Sequence, residues 1–386
     1  MKHRKILLLM TNLVGGGADR VTLNLAEDWS RAGAEVVVAT LAGDAEDAYA
    51  MPSGARRVAL GFTGRRRSLG DLLRNNIAPV LAVRRLLRVE RPDVAIGVTT
   101  VAAVALALAR GRGMVAIGAE HGHTPLAHYG GIWEVARRYA YARLDAVVAL
   151  TEETAQLLRE RTRSRRLAVI PNAVALPVPE GAPRLAVADV LAPGRKMLLA
   201  VGRFVEQKGF DRLLDAFACA AERCPEWDLT ILGEGELRAA LESQTARLGL
   251  DGRVFLPGFA GNVAEWYRAA DAFVLSSRWE GWGMVLAEAM AHGCAVVSVD
   301  CDVGPRDIVR DGVDGLLVRQ DDPAALAAGL ERLLGDAALR ERLASRAPEV
   351  AARFSPERVR GMWEALFDSL QTEGVVEPGG FEPPTS

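Results

Sequence analysis

Cysteine is scarce in this sequence: Cys219, Cys224, Cys294 and Cys301 are the only four among 386 residues. Neither Cys219 to Cys224 nor Cys294 to Cys301 has the C-x-x-C spacing of a zinc or redox site, so reduced, structural thiols are expected. Long apolar runs are missing too. The uncharged stretch from Val94 to Ala109 falls below the ~18 residues that signal a membrane span and is broken at Gly97-Val98-Thr99-Thr100. It reads as strand, turn and buried helix. The start, Met1 to Met10, is a basic cluster followed by a short apolar run with no small-residue cleavage site; it reads as a first buried strand, and a cytoplasmic location is expected. No repeat of solenoid period is visible. The arginines lack interleaved aromatics that could stack on bases, which argues against nucleic acid as a partner.

What is present is ordinary globular material, half hydrophobic and a quarter charged, in a chain long enough for two cores. The net charge of -2 hides an asymmetry: residues 1–178 hold 25 basic and 16 acidic side chains, and the rest hold 22 and 33. The basic clusters Arg65-Arg66-Arg67, Arg84-Arg85 with Arg88, Arg137-Arg138 and Arg159 through Arg166 all fall in the first half. A basic surface suits a polyanion such as a membrane surface or lipid phosphate, and a candidate peripheral contact with the anionic inner face of the cytoplasmic membrane follows. The same arginines read equally well as solvated surface.

Short β-rich apolar runs alternate with longer helical stretches, the pattern of parallel sheets covered on both faces in an α/β fold. Strands are predicted at Ile6–Leu9, Glu35–Thr40, Val58–Leu60, Val94–Val98, Val115–Ala119, Ala146–Leu150 and Leu167–Ile170. A second set follows at Met197–Val201, Leu229–Leu232, Val254–Leu256, Ala272–Leu275, Ala295–Val299 and Leu316–Val318. Pro171 to Pro193 lacks either periodicity and reads as an interdomain linker. The expected division is a first domain over 1–178, completed by a helix near 356–370, a second over 179–355, and a disordered tail over 372–386. Two Rossmann-like domains facing a central cleft form the expected architecture.

Three glycine-bearing turns lie where such sheets bind ligands. Gly15-Gly16-Gly17 joins a strand to a helix N-terminus, whose free amides and positive dipole end suit phosphate; any tight strand-to-helix connection would need glycine as well. Gly202 to Gly209 carries Arg203 and Lys208, a fork and a point charge that fit a diphosphate without a metal, with surface pairing to Glu206 as the alternative. Ser276 to Gly293 follows an apolar strand. There Gly281 and Gly283 let backbone approach a ligand, a helix starting near Met284 aims its amides at the same place, and Glu280 and Glu288 can grip hydroxyls of two different rings. No Asp-x-Asp pair of the metal-binding type sits on the 202–209 or 276–293 stretch.

These residues resemble the family 4 retaining glycosyltransferases of GT-B fold. The resemblance covers nearly the whole chain: Gly15-Gly16-Gly17, Ile170-Pro171-Asn172, Gly202-Arg203 with Lys208-Gly209, Gly233-Glu234-Gly235, Pro257-Gly258, and above all the two glutamates set in Glu280-Gly281-Trp282-Gly283-Met284-Val285-Leu286-Ala287-Glu288. It implies that Arg203 and Lys208 bind the donor diphosphate, Glu280 the transferred sugar and Glu288 the ribose. Gly283, Met284 and Val285 would offer amides, Gly16 and Gly17 would complete a phosphate cradle, and Gly258 would line the donor site. His121 is the expected histidine of the first domain, with His123 competing. Cys301 to Pro305 and Asp311 to Val318 resemble the branch that builds bacterial exopolysaccharides and lipid-linked glycans, although Val303 replaces the usual small polar residue. The implied activity moves a hexose or N-acetylhexosamine from a UDP- or GDP-linked sugar to a glycan or polyprenyl-diphosphate-linked acceptor, with no metal or cofactor. A nucleotide-sugar epimerase and a noncatalytic nucleotide-sugar binding protein are the alternatives.

Overall fold

The computed structural model describes residues 1–45, 47, 49–62, 69–122 and 131–373. Arg65-Arg66-Arg67, His123 and the tail from 374 lie outside the described residues. Internal contacts divide the chain into one unit of residues 1–171 with 356–386 and a second of 172–355.

The first unit holds a seven-stranded parallel sheet in the order β3-β2-β1-β4-β5-β6-β7. Its strands are β1 (Lys5–Met10), β2 (Glu35–Thr40), β3 (Ala55–Ala59), β4 (Val94–Val98), β5 (Val115–Glu120), β6 (Ala146–Ala149) and β7 (Leu167–Val169). Between them run α1 (Gly17–Arg31), α2 (Leu69–Glu90), α3 (Thr100–Ala109), α4 (Gly131–Tyr141) and α5 (Glu152–Arg161). The central strands are buried throughout but for Lys5 at the start of β1, as both-face covering requires. The stretch Val94 to Ala109 divides as expected into strand and buried helix, and no described helix is long and apolar enough to cross a membrane. Helix α3 is rich in alanine because it runs very close to the sheet. A Cβ on Gly97 would stand 2.5 Å from the Ala103 Cα, and one on Gly118 would stand 3.2 Å from the Ala103 Cβ.

The strand predicted at Val58–Leu60 begins earlier, at Ala55. Two arginines disguise it, but β3 is an edge strand, where charge is tolerated. Arg57 forks Asp47 at 2.8 and 3.1 Å and reaches Thr40 Oγ1 at 2.7 Å, and Arg56 pairs with Glu90.

The second unit is a six-stranded parallel sheet in the order β10-β9-β8-β11-β12-β13. Its strands are β8 (Lys196–Val201), β9 (Trp227–Leu232), β10 (Val254–Gly258), β11 (Ala272–Leu275), β12 (Val296–Asp300) and β13 (Leu316–Arg319). The helices are α6 (Phe210–Arg223), α7 (Arg238–Arg247), α8 (Val263–Ala269), α9 (Met284–Ala291), α10 (Pro305–Ile308), α11 (Pro323–Gly335), α12 (Ala337–Arg346) and α13 (Glu349–Arg353). Phe217, Trp227, Leu330 and Leu333 anchor its core.

The predicted linker is irregular but not free. Ala173, Val174 and Val178 are buried, and Val174 N–H donates to Phe354 O at 2.8 Å. Gly181 and Pro183 exchange backbone bonds of 2.9 and 2.7 Å with Gly261, while the Asn262 side chain pairs with the Leu185 backbone in both directions at 3.0 Å. The chain therefore changes units at Pro171 and not at residue 178, because the turns after Asn172 satisfy their polar groups within the second unit.

At Ser355 the chain leaves the second unit, and α14 (Pro356–Glu373) packs on α1 in the first. The buried Trp29 receives Trp363 and Phe367 edge-on, with centroids at 5.7 and 5.9 Å, and Arg360 pairs with Asp28.

Candidate functional site

In a doubly wound sheet, ligands bind outside the carboxyl ends of the strands where successive connections leave in opposite directions. In the second unit that point lies between β8 and β11, flanked by the segments 202–209 and 276–283. A Cβ on Gly209, at φ +62°, would stand 2.3 Å from Ser276 O, so only glycine lets the two segments touch.

They are laced together. Arg278 N–H donates to Gln207 O at 2.7 Å, Gln207 Nε2 to Trp279 O at 3.0 Å, and Ser276 Oγ to Lys208 O at 2.8 Å. Arg278 also forks Asp211 at 2.7 and 2.6 Å. That pairing holds the Asp211 carboxyl below its usual range, through the hydrogen bond first and opposed by burial. Phe204, fully buried and edge-on to Phe210 at 5.7 Å, pins the first segment from below.

On this frame Lys208 Nζ meets Glu280 Oε1 at 2.6 Å, with Ser277 Oγ on the same oxygen at 2.7 Å. The pair is mostly buried, at 16% and 8% side-chain exposure, so in low dielectric its charges act strongly on anything placed beside them. Arg203 is exposed and has no ion pair among the described residues. The alternative of an Arg203 and Lys208 surface pairing with Glu206 is not what the structure holds.

Gly283, at φ +109°, is the N-cap of α9. Its carbonyl takes the Leu286 and Ala287 amides, while the earlier amides of Met284 and Val285 belong to the set that a helix leaves unpaired at its start. Glu288 lies about one turn further along, 3% exposed, and accepts from Tyr267 Oη at 3.1 Å; Tyr267 and Glu288 each have further partners. Gly258, at φ +108°, carries the carbonyl that receives the Gly233 amide at 2.9 Å. The structure thus brings Lys208, Glu280 and Ser277 into direct contact and sets Glu288 among different neighbours.

The residues expected from the first unit stand as follows. His121 follows β5, half-buried, with a covered Nδ1 that has no hydrogen-bond partner among the described residues. Burial pushes its pKa down to about 4, so the ring is neutral at physiological pH. Before it, Glu120 accepts from Thr100 Oγ1 at 2.8 Å and from Tyr141, and burial followed by the Glu120 charge raises the Tyr141 phenol. The amides of Gly15 and Gly16 are already taken by Asp19 Oδ2, at 3.0 and 2.8 Å. Gly16 therefore offers no free amide to a phosphate here, because the helix supplies its own anion; Gly17 has open space about it.

Sequence reasoning missed Gln207, Ser277 and the Arg278 to Asp211 fork, whose only signal was their place inside the two loops. It also passed over Asp300-Cys301-Asp302 at the end of β12. Asp300 is held by Arg306 at 3.0 and 3.1 Å. Among the described residues, no three His, Cys, Asp or Glu side chains converge as metal ligands. These aspartates line a polar cavity of about 470 Å³ with Arg212, Arg319 and Gln320.

Comparison with known proteins agrees with the two-sheet architecture. The family model described as Glycosyltransferase Family 4 matches residues 15–176, and that described as Glycosyl transferases group 1 matches 187–350. The chain belongs to the family 4 glycosyltransferases, with the GT-B pairing of Rossmann-like units. An exopolysaccharide phosphotransferase of Streptomyces coelicolor is 37% identical over 59% of this chain and 24% of its own length. The lipopolysaccharide core biosynthesis glycosyltransferase LpsE of Rhizobium meliloti is 37% identical over 45% of this chain and 50% of its own. The chain thus spans from a quarter to half the length of these two relatives. The solved Anabaena HepE in complex with UDP-glucose matches 95% of this chain and 100% of its own with a TM-score of 0.74 at 21% identity, a likeness of fold.

Proposed function

We propose that this chain is a retaining, metal-independent glycosyltransferase. It moves a hexose or N-acetylhexosamine from a UDP- or GDP-linked sugar to a glycan or polyprenyl-diphosphate-linked acceptor in cell-surface polysaccharide synthesis. The observation that carries this reading is the Lys208 to Glu280 pair at the β8/β11 crevice, with Arg203 on the same segment as Lys208, exposed and without an ion pair among the described residues. Lys208 and Arg203 give two positive charges for a departing diphosphate, and the α9 N-terminus adds a partial third. Preorganised charge of this kind is worth more in a dry site than in water, because it needs no reorganisation when the leaving group develops its charge. Glu280 accepts from hydroxyls of the transferred sugar, Glu288 holds the ribose, and His121 serves as a neutral hydrogen-bonding group. HepE in complex with UDP-glucose and the lipopolysaccharide role in the LpsE name support the donor and acceptor classes.

The acceptor side works at an anionic membrane surface. On α2 the exposed Ile77 and Leu81 lie one turn apart, ahead of Arg84, Arg85 and Arg88, and on α4 the exposed Val135 and Tyr139 repeat the spacing beside Arg138. Apolar anchors flanked by arginine suit an interface of acyl chains and acidic headgroups. Sedimentation with acidic liposomes should be salt-sensitive; binding indifferent to lipid charge would remove this part.

Saturation-transfer NMR of the full chain against UDP-glucose, UDP-GalNAc, UDP-GlcNAc and GDP-mannose, with EDTA present, tests the donor reading. Selective contact with one is expected. Contact with none would sink it, and formation of a new nucleotide sugar without acceptor would put an epimerase in its place.

A further inference from the structure

A parallel sheet turns all its carboxyl ends to one edge, where ligands of such folds bind, so the β8/β11 crevice has neighbours on its own side of the second unit. The strand order sets β12 and then β13 beyond β11, about 5 and 10 Å further along at the usual strand spacing. At their carboxyl ends lies the polar cavity of about 470 Å³, a volume within the roughly 300–1,000 Å³ of small-molecule sites. Arg278 ties this cavity to the donor loops. Its carbonyl takes Gln320 Nε2 at 2.7 Å, and its guanidinium forks Asp211, the residue before Arg212 of the cavity wall.

Among the described residues the lining holds no apolar or aromatic side chain. A nucleobase would find nothing to stack on, and an acyl chain would leave the wall's polar groups without partners. Three arginines and three aspartates form the wall with Gln320, so its formal charge is zero. Four of them are matched, Arg306 forking Asp300 at 3.0 and 3.1 Å and Arg319 forking Asp321 at 3.1 and 2.8 Å. The other two, Arg212 and Asp302, have no side-chain hydrogen bond or ion pair among the described residues.

This distribution of charge decides what fits. A phosphate would meet three carboxylates with one uncommitted cation to oppose them, and a divalent ion would meet three guanidinium groups. A neutral ligand meets neither repulsion. Both forks are solvent-accessible and so contribute little to stability; their outward N–H groups and carboxylate lone pairs can be shared with a ligand at small cost. Each fork sets donors beside acceptors, and Arg212 and Asp302 add one group of each kind. Neighbouring hydroxyls on a sugar ring, each with one proton to give and two lone pairs, match that alternation.

We propose that the cavity at the ends of β12 and β13 is a second sugar site, which holds an uncharged unit of a glycan beside the donor crevice and takes no part in the bond exchange. The proposal rests on the glycosyl-transfer reading only in naming the source of that unit, a part of the glycan chain remote from the reacting sugar.

The test follows backbone amide resonances of the full chain during titration with the neutral trisaccharides maltotriose, cellotriose, mannotriose and chitotriose, and separately with UDP, inorganic pyrophosphate and magnesium chloride. At least one trisaccharide should shift residues 300–302 and 319–321, and Arg212→Gln and Asp302→Asn should each weaken that binding on the order of tenfold. Both side chains are exposed, so both variants should melt with wild type. The proposal is overturned by the absence of a trisaccharide shift at those residues, by an undiminished shift in both variants, or by shifts there with pyrophosphate or magnesium in place of sugar. Trisaccharide shifts confined to 202–209 and 276–283 overturn it too, since they would put the sugar in the donor crevice. UDP is read on 202–209 in the same samples, so trisaccharide shifts at 300–302 without any UDP shift would end the donor reading and leave the second site standing.

Discussion

Lys208 and Glu280, 72 residues apart in sequence, are joined across the β8/β11 crevice by a bond of 2.6 Å. Each is the natural partner of something else in the proposed reaction, the ammonium of a diphosphate and the carboxylate of sugar hydroxyls. Their pairing keeps both charged side chains satisfied and in place until donor arrives.

Removing one member should be felt twice. Glu280→Gln keeps the shape but leaves the Lys208 charge uncompensated, and breaking a buried pair in this way costs about 3–5 kcal/mol at the upper end. The melting temperature should fall by several degrees and turnover by on the order of a hundredfold. Steady-state kinetics beside calorimetry would check it, and unchanged turnover would remove Glu280 from the site.

Arg203→Ala separates function from stability. The side chain is exposed and unpaired among the described residues, so unfolding should move by less than about 0.5 kcal/mol. Turnover should drop on the order of a hundredfold. A variant that melts normally and turns over normally would contradict its role.

Gly209→Ala tests the lacing of the two loops. The new methyl would meet Ser276 O at 2.3 Å on a backbone of φ +62°, costing more than ~1 kcal/mol and parting the segments that carry Lys208 and Glu280. Nucleotide-sugar binding should be lost at temperatures where circular dichroism still shows a folded chain. Intact binding would mean that the contact between the loops is dispensable.

His121 gives a signature in pH. Its folded-state pKa, near 4, lies below the ordinary value of 6.5, so between these values the unfolded chain binds the proton and the folded chain resists it. Stability from this group is complete above pH ~6.5 and declines as the pH falls towards 4. Urea unfolding at pH 7, 5.5 and 4.5 should show a shallower acid loss in His121→Gln than in wild type; parallel curves would mean that the ring titrates normally.

Chelation completes the set. With the Arg203 and Lys208 charges meeting the diphosphate, glycosyl transfer should proceed at full rate in EDTA. A rate restored only by added divalent ion would show that Asp300 and Asp302, or residues outside the described set, hold a metal.

The sheets were legible because a parallel strand covered on both faces is a short apolar run between turn residues, and runs such as Leu7 to Leu9, Val36 to Ala39 and Leu229 to Leu232 have no other plausible reading. The glycine turns marked their carboxyl ends, so the neighbourhood of Lys208 and Glu280 could be named beforehand. What escaped depends on distance in the chain. Nothing local announces that Arg278 forks Asp211, that Arg57 of an edge strand is neutralised by Asp47, or that the proline-rich turns from Asn172 are bonded to Gly261 and Asn262. Asp19 was visible as a helix residue, yet only geometry shows its carboxylate occupying the amides that the glycines seemed to leave for phosphate. Thr99 is the plainest case, since its backbone, at φ +109°, runs against every propensity of its residue type.

The return of α14 to the first unit bears on the order in which the protein can be completed. A ribosome delivers residues 1–171 long before Trp363 and Phe367, which cover Trp29. Until then Trp29 on α1 is uncovered by these rings, while the whole second unit is still being made. Closure of the first-made half therefore waits for α14 to emerge, so a stall or cleavage before Pro356 would leave two sheets formed and the Trp29 face of the first unit open to aggregation.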